Sequence, residues 1–447
     1  MLRPRATLVS GGWGRNWSVC TRYVFVNFVE ESSMVHTSAL FFSAISLAAF
    51  LAPDTPSARQ CDIARNIAVV RPGLDVLLSS QPAWLIGKRI GLITNQSGIS
   101  ATGERGIDLL AARNDVHLVK LFALEHGLAG TKGPGEKIGD GVDSTTGLPI
   151  VSLYGSVRKP TPEMLRDIDV LMFDVMNAGS RTLTSGSAMA LAMQSAAEAK
   201  IPFVVLDRPN PITGSHVEGP VLDTAFSSFV GMYPIPLRHG MTVGELATLY
   251  NEKFGIGAKL TVIRLEGWKR TMWFDETGLP WVRPSPNLRR LDAVLLYPGM
   301  VLLEGTNLSE GRGTEYPFEQ TGAPWMRSAE VVKTMNRLDL SGVRFDTVML
   351  SVQSGEPKYG GRSIPGVKLT VTDRDAIRPV ATAMFLLETI RKLHPKECIL
   401  RPAMDLRGGT DKVRKAIEEG KVREFMEESE KATAVFGKLR EQFLLYR

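Results

Sequence analysis

"RIGLITN", Arg89 to Asn95, decides how the chain folds. Its apolar residues run on without polar alternation and stop at a polar pair, as in a strand covered on both faces. The same form recurs in "VHLVKLFAL" (116–124), "IDVLMFDV" (168–175) and "IPFVVLD" (201–207). Between the last two lies "SGSAMALAMQSAAEAK" (185–200), rich in helix formers and apolar around most of its circumference, as a helix lying on a sheet would be. Strands separated by helices imply right-handed parallel crossovers. The expected fold is α/β, a Rossmann-like parallel sheet continuing to about Arg264.

Such a sheet holds ligands beyond the carboxyl ends of its strands. The residues placed there are Thr94, Asn95, Gln96 and Ser97, then Glu125 and His126, then Asn177 to Arg181, then Asp207, Arg208 and Asn210. Carboxylates, amides, hydroxyls and two arginines suit a hydroxyl-rich ligand carrying some negative charge. No dinucleotide fingerprint follows any strand: "GLAGTKGPGEK" (127–137) is glycine-rich, but Pro134 and the lack of a helical pattern behind it make it a loop. No Walker-type loop occurs either, so no nucleotide cofactor is expected. Of six histidines, only His126 and His239 sit beside other candidate site residues, and none pair at helical ligand spacing. A metal-free site is expected.

The second half changes pattern. "WVRPSPNLRRLDAVLLYP" (281–298) reads as a proline-bounded connection into an apolar strand. The glycine-punctuated "LEGTNLSEGRGTEYPFE" (303–319) reads as an acidic loop. "RFDTVMLSV" (344–352) and "GVKLTVTD" (366–373) read as antiparallel strands, followed by a helix over 374–393 and two surface helices between Asp411 and Arg440. The reading divides the chain into a leader (1–60), a Rossmann-like domain (66–265) and a smaller α+β domain (266–447) that closes a cleft.

Composition and termini set further bounds. With 447 residues, 44% apolar and 22% charged, the chain is a folded protein, and a net charge of +6 without basic runs argues against nucleic acid as a partner. "ALFFSAISLAAFLA" (39–52) is short for a bilayer span and fits the core of a secretory signal. On that reading translation is expected to start at Met34, with cleavage near Ser57 and Ala58 and export of the mature protein to the periplasm or exterior without stable membrane insertion. Cys20, Cys61 and Cys398 form no disulfide framework.

Long ordered motifs carry a resemblance: "GKRIGLITNQSG", "EHGLAG", "GEKIGDGVDSTTGLPIVSLYG", "RKPTPEML", "VVLDRPNPITGSHVEGPVLD", "PIPLRHGMTVGELA", "WVRPSPNL" and "YPGMVLLEGTNLSEGRGT". From about Gly73 to the terminal "FLLYR" the chain resembles the exo-acting β-N-acetylmuramidases of peptidoglycan turnover. The resemblance implies a sugar cleft between a Rossmann-like and a smaller domain, and release of N-acetylmuramic acid from nonreducing ends of peptidoglycan-derived saccharides.

Glycoside cleavage needs two placed carboxyl groups. Glu125 in "EHG" matches the motif and the strand-end position, with Glu304 or Glu310 as partner. Arg312 suits the lactyl carboxylate, with Arg181 and Arg208 as competitors. His126 and His239 suit orienting roles or sugar hydroxyls, and Asn95, Asn210 and Asn307 suit the N-acetyl group or hydroxyls. One stretch departs from the family pattern: in "DVMNAGSRTLTS" (174–185), Met176, Asn177, Thr182 and Leu183 replace a glutamine, a carboxylate and two aromatic residues. If the carboxylate lost at 177 is catalytic in relatives, the chain is an impaired cell-wall sugar-binding homologue. If it only holds hydroxyls, the chain cleaves.

Overall fold

A computed structural model describes residues 69–133 and 135–447, so the apolar run at 39–52, Met34 and the proposed cleavage site lie outside the described residues. In chain order the first strands are β1 (Arg89–Thr94), β2 (His117–Ala123), β3 (Gly141–Val142), β4 (Pro149–Ser152), β5 (Val170–Asp174) and β6 (Phe203–Leu206). A ribbon of β7 (Glu218–Val221) and β8 (Pro236–Arg238) precedes β9 (Leu260–Ile263). One seven-stranded sheet runs in the order β3-β4-β2-β1-β5-β6-β9, parallel except where β3 meets β4. The four strands read from sequence are its centre. The structure adds β3, β4 and β9, which the sequence reading leaves unassigned.

Alternation inside the apolar runs assigns each side chain to one face. Ile90 and Leu92 of β1, Met172 of β5 and Val204 of β6 face α1 (Gly73–Ser80) and α2 (Gly106–Ala111), meeting Leu74, Leu77, Ile107 and Leu110. Ile93, Phe173 and Val205 face the other way, onto α3 (Thr184–Glu198) and α4 (Val243–Glu252). Because both faces are covered, the strands have no polar face, and full burial of each such side chain stabilises by roughly 1.5–3 kcal/mol. Thr242 caps α4 in a reciprocal capping box with Glu245, which satisfies two of the helix's orphan donors.

The second half begins with α5 (Leu291–Met300), where the sequence reading placed a strand. The run "LDAVLLYPGM" is apolar on all sides and buried nearly throughout, and a short fully apolar run carries no period by which to tell helix from strand. After α5 come β10 (Gln320–Gly322), α6 (Ser328–Arg337), β11 (Val343–Ser351) and β12 (Ser363–Val371), the strands forming an antiparallel sheet in the order β10-β12-β11. Helix α7 (Pro379–Leu393) packs on α5 so closely that a Cβ at Gly299 would lie 2.1 Å from the Pro379 carbonyl oxygen. Helices α8 (Ala403–Gly408), α9 (Lys412–Glu419) and α10 (Val422–Arg440) complete this half, and the expected tail helices bury Val413, Ile417, Val422 and Phe425 in its core.

The end of the chain returns to the first half. Phe436 of α10 and Phe443 join the core between the sheet and α3 and α4. The Tyr446 hydroxyl accepts from the Leu265 amide at 2.8 Å and donates to Asp207 at 2.6 Å. These contacts join the halves and fix the cleft between them.

Candidate active site

The strand order changes direction at β1, since the chain runs outward through β2 and β4 and then crosses to β5 on the opposite side. A crevice opens at such a switch point. A cavity of about 500 Å³ lies there, lined by Asn95 after β1, Glu125 and His126 after β2, and Val175 and Met176 after β5. That volume falls within the range of small-molecule sites. The opposite wall comes from the second half: Tyr297 on α5, Glu304, Arg312 and Phe318 from the acidic segment, and Leu406 and Arg407 on α8.

Glu125 is held by three donors. Tyr154 Oη donates to Oε1 at 2.8 Å, the Gly135 amide to the same oxygen at 3.3 Å, and Thr184 Oγ1 to Oε2 at 2.7 Å. Thr184 opens the fifteen-residue helix α3, whose amino end carries partial positive charge and favours a carboxylate. Burial and the neighbouring Glu125 carboxylate push the Tyr154 phenol up to about 12, so it remains a donor. The chain turns sharply after Glu125, with His126 at φ 72° and Gly127 at φ 73°. A left-handed histidine is uncommon, and here both ring nitrogens are engaged. Nδ1 donates to the Lys132 carbonyl at 2.8 Å, and Nε2 lies 3.1 Å from Ser285 Oγ of the opposite half.

The acidic segment is not a solvated loop. It starts as a 3₁₀ turn over Val301–Gly305, and Glu310 and Glu319 are buried. Glu304 faces the cavity between two guanidinium groups, 2.7 Å from Arg312 and 2.6 Å from Arg407. Burial pulls its pKa upward, but Arg312 and Arg407 outweigh that and hold the carboxyl below the ordinary glutamate value. Glu304 is therefore an ionised carboxylate at neutral pH. Glu310 is turned away from the cavity. It bonds Arg312 Nε at 3.0 Å and Lys358 at 2.9 Å, and lines a separate 310 Å³ cavity behind this wall.

The remaining candidates divide. Asn95 reaches the cavity edge, where its Oδ1 accepts from the Ser97 amide and hydroxyl at 2.9 and 2.6 Å. Arg181 does not reach it. Its guanidinium is buried on the carbonyls of Pro220, Ile235 and Arg407, and burial pushes its pKa down to about 9. Arg208 forms a buried fork with Asp174, with bonds of 2.5 and 2.9 Å, away from the cavity. Asn210 ties the Ile212 amide to the Met241 carbonyl, and Asn307 pairs its side chain with the backbone of Glu397 and Ile399. His239 is fully buried. Its Nδ1 accepts from the Met241 amide, its Nε2 donates to Asn177 at 3.1 Å, and burial with Arg440 and Arg181 nearby pushes its pKa down to about 3.

The departures from the family pattern separate likewise. Met176, Thr182 and Leu183 line the cavity, whereas Asn177 lies behind it, accepting from His239 and from the Gly179 amide at 3.0 Å. Sequence reading missed Tyr154, Thr184, Tyr297, Arg158, Phe229 and Arg407 as cavity residues. Thr184 falls within the quoted 174–185 stretch, where nothing marks it as a cavity residue. For Tyr154, the one available signal was its place at the end of the matched "GLPIVSLYG". Among the described residues no three or more His, Cys, Asp or Glu gather as for a metal ion, and no helix is long and apolar enough to cross a membrane.

Residues 90–292 match the family described as exo-beta-N-acetylmuramidase NamZ, N-terminal, and residues 295–446 match its C-terminal counterpart. The peptidoglycan beta-N-acetylmuramidase NamZ of Bacillus subtilis (strain 168) is 45% identical over 380 residues, covering 84% of this chain and 91% of that protein. A DUF1343 family protein from Bacteroides fragilis NCTC 9343 superposes with a TM-score of 0.78 at 33% identity, covering 85% of this chain and 99% of that one. A second DUF1343 protein of the same organism gives 0.68 at 30% identity with the same coverage.

Proposed function

Given that the chain belongs to the exo-β-N-acetylmuramidase family along both of its halves, we infer that it is a glycosidase that releases N-acetylmuramic acid from nonreducing ends of peptidoglycan fragments. The observation that carries this reading is Glu125, presented on three donors to a cavity of about 500 Å³ and making no ion pair among the described residues.

Breaking the glycosidic bond passes through an oxocarbenium-like state, which requires a proton on the leaving oxygen and negative charge or an activated water near the anomeric carbon. The two cavity glutamates suit different halves of that task. Glu304, held ionised by Arg312 and Arg407, has no proton to give and is suited to stabilise positive charge or activate water. Glu125, free of a cationic partner, takes the role of proton donor, and Tyr154, Thr184 and the Gly135 amide fix its oxygens and stabilise the carboxylate that forms as its proton leaves. Glu310 acts through Arg312 as a positioning residue. Because Asn177 lies behind the cavity wall, its departure from the family pattern leaves Glu125 and Glu304 in place, which favours cleavage over the impaired-homologue reading. The apolar run at 39–52 supports export to the compartment where peptidoglycan lies.

The test uses glycan chains with muramic acid at the nonreducing end. Mass spectrometry is expected to show free N-acetylmuramic acid as the first product, one residue per cut. Internal oligosaccharides without the monomer would contradict the exo-acting assignment.

A further inference from the structure

Three arginines face the cavity, and two are committed. Arg312 is paired with Glu304 and Glu310, and Arg407 with Glu304. The third, Arg158, is exposed at the rim and has no carboxylate or hydrogen-bond partner among the described residues. Its guanidinium lies over the Phe229 ring, 4.4 Å from the centroid. That ring stands 6.3 Å from the ring of Tyr154, whose hydroxyl holds Glu125. A free cation on a flat apolar support is thus two side chains from the proposed proton donor.

Charge on the cavity wall points the same way. Arg158, Arg312 and Arg407 exceed Glu125 and Glu304 by one positive charge even with both glutamates ionised. To bind a second carboxylate through two nitrogens, Arg312 or Arg407 would first have to loosen a part-buried ion pair, since Arg312 has only Nη1 without a partner, whereas Arg158 has only water to give up. Lying over the Phe229 ring without a hydrogen-bond partner among the described residues, the guanidinium keeps its fork of donors available, and that fork matches the two oxygens of a carboxylate.

We propose that Arg158, supported by Phe229, is the specificity-determining residue that takes the lactyl carboxylate of N-acetylmuramic acid; the proposal rests on the muramidase reading. It gives the discriminating role to a residue other than Arg312, whose Nε and Nη2 are already bonded to Glu310 and Glu304 and whose remaining Nη1 is buried and offers one nitrogen rather than two. Arg158 reads the free acid, so a sugar whose lactyl group ends in an amide loses the paired contact.

The test compares 4-nitrophenyl β-N-acetylmuramide with its lactyl carboxamide on the full chain and on Arg158→Gln and Arg158→Lys. The wild type is expected to prefer the carboxylate by about 10-fold in KM, the low end for a charge-assisted hydrogen bond because the site is open to water. Arg158→Gln brings that preference near unity, and Arg158→Lys, which keeps the charge without the fork, retains part of it. An undiminished preference in Arg158→Gln, or a wild type indifferent to the carboxylate, overturns the proposal. If the wild type cleaves neither compound, the glycosidase reading fails while the anchor is still decided by calorimetry. Binding of free N-acetylmuramic acid over its carboxamide, lost in Arg158→Gln, supports it, and equal binding by the two proteins overturns it.

Discussion

Tyr154→Phe removes one hydroxyl and keeps the ring, so it isolates the bond that fixes Glu125 Oε1. In the structure that oxygen accepts from Tyr154 at 2.8 Å and from the Gly135 amide at a weaker 3.3 Å, while Oε2 keeps Thr184 at 2.7 Å. As Glu125 gives up its proton it becomes charged, and a hydrogen bond to a charged group contributes about 1.5–3 kcal/mol, the half-buried setting of Tyr154 favouring the lower end of that range. With each 1.36 kcal/mol worth tenfold in rate, kcat/KM is expected to fall about 10- to 30-fold, chiefly in kcat. Thr184→Ala acts on the other oxygen and is expected to cost a similar factor. The double variant loses less than the product of the two, because both changes free the same carboxylate. Initial rates on an aryl β-N-acetylmuramide measure all three. A Tyr154→Phe enzyme within twofold of wild type, or one as inactive as a Glu125 variant, would refute the view that Tyr154 orients the acid without reacting itself.

Two further predictions concern the scaffold. His239 is neutral when folded because burial pushes its pKa down to about 3, whereas the unfolded chain takes up a proton near the ordinary value of 6.5. The folded-state pKa is depressed and the neutral form is the one that fits, so this contribution is whole above 6.5 and shrinks as pH falls towards 3, by up to about 1.4 kcal/mol per pH unit. Urea unfolding of His239→Gln at pH 7 and pH 4.5 is expected to show a shallower acid loss than wild type; equal losses would count against it. Gly299→Ala sets helix propensity, which alone gains about 1 kcal/mol, against a Cβ placed 2.1 Å from the Pro379 carbonyl oxygen. The clash is expected to win and destabilise by about 1–3 kcal/mol, so a raised unfolding midpoint would show that α5 and α7 are not so tightly apposed.

The sheet was legible because its central strands are covered on both faces, which turns them into unbroken apolar runs at β1, β2, β5 and β6. Strand-end logic then placed Glu125 and Asn95 at the cavity without any coordinates. The same logic over-reached after β6, where Arg208 and Asn210 serve internal bonds on a strand one position beyond the switch point. Helix α5 was misread because burial on all sides erases the helical period as completely as it erases strand alternation. Tyr154, Thr184 and Arg158 reach the site from loops and a helix start, 29, 59 and 33 residues from Glu125, and no local pattern announces a hydroxyl that will donate to a distant carboxylate. Among the acids of 303–319, glycines signal a turn, but which glutamate faces the cavity depends on the cations that meet it. Arg407, 103 residues beyond Glu304, lies outside any motif that includes it.

The most direct test of the assignment is a comparison of Glu125→Gln, Glu304→Gln and Glu310→Gln on a disaccharide with muramic acid at its nonreducing end, whose sugar leaving group needs a proton, and on N-acetylmuramyl fluoride, whose leaving group needs none. Glu125→Gln is expected to lose at least about 10³-fold on the disaccharide and to regain much of that on the fluoride, as removal of a proton donor requires. Glu304→Gln should be impaired on both substrates, and Glu310→Gln should be the least affected. Full activity in Glu125→Gln, or selective fluoride rescue of Glu304→Gln in its place, would contradict the account.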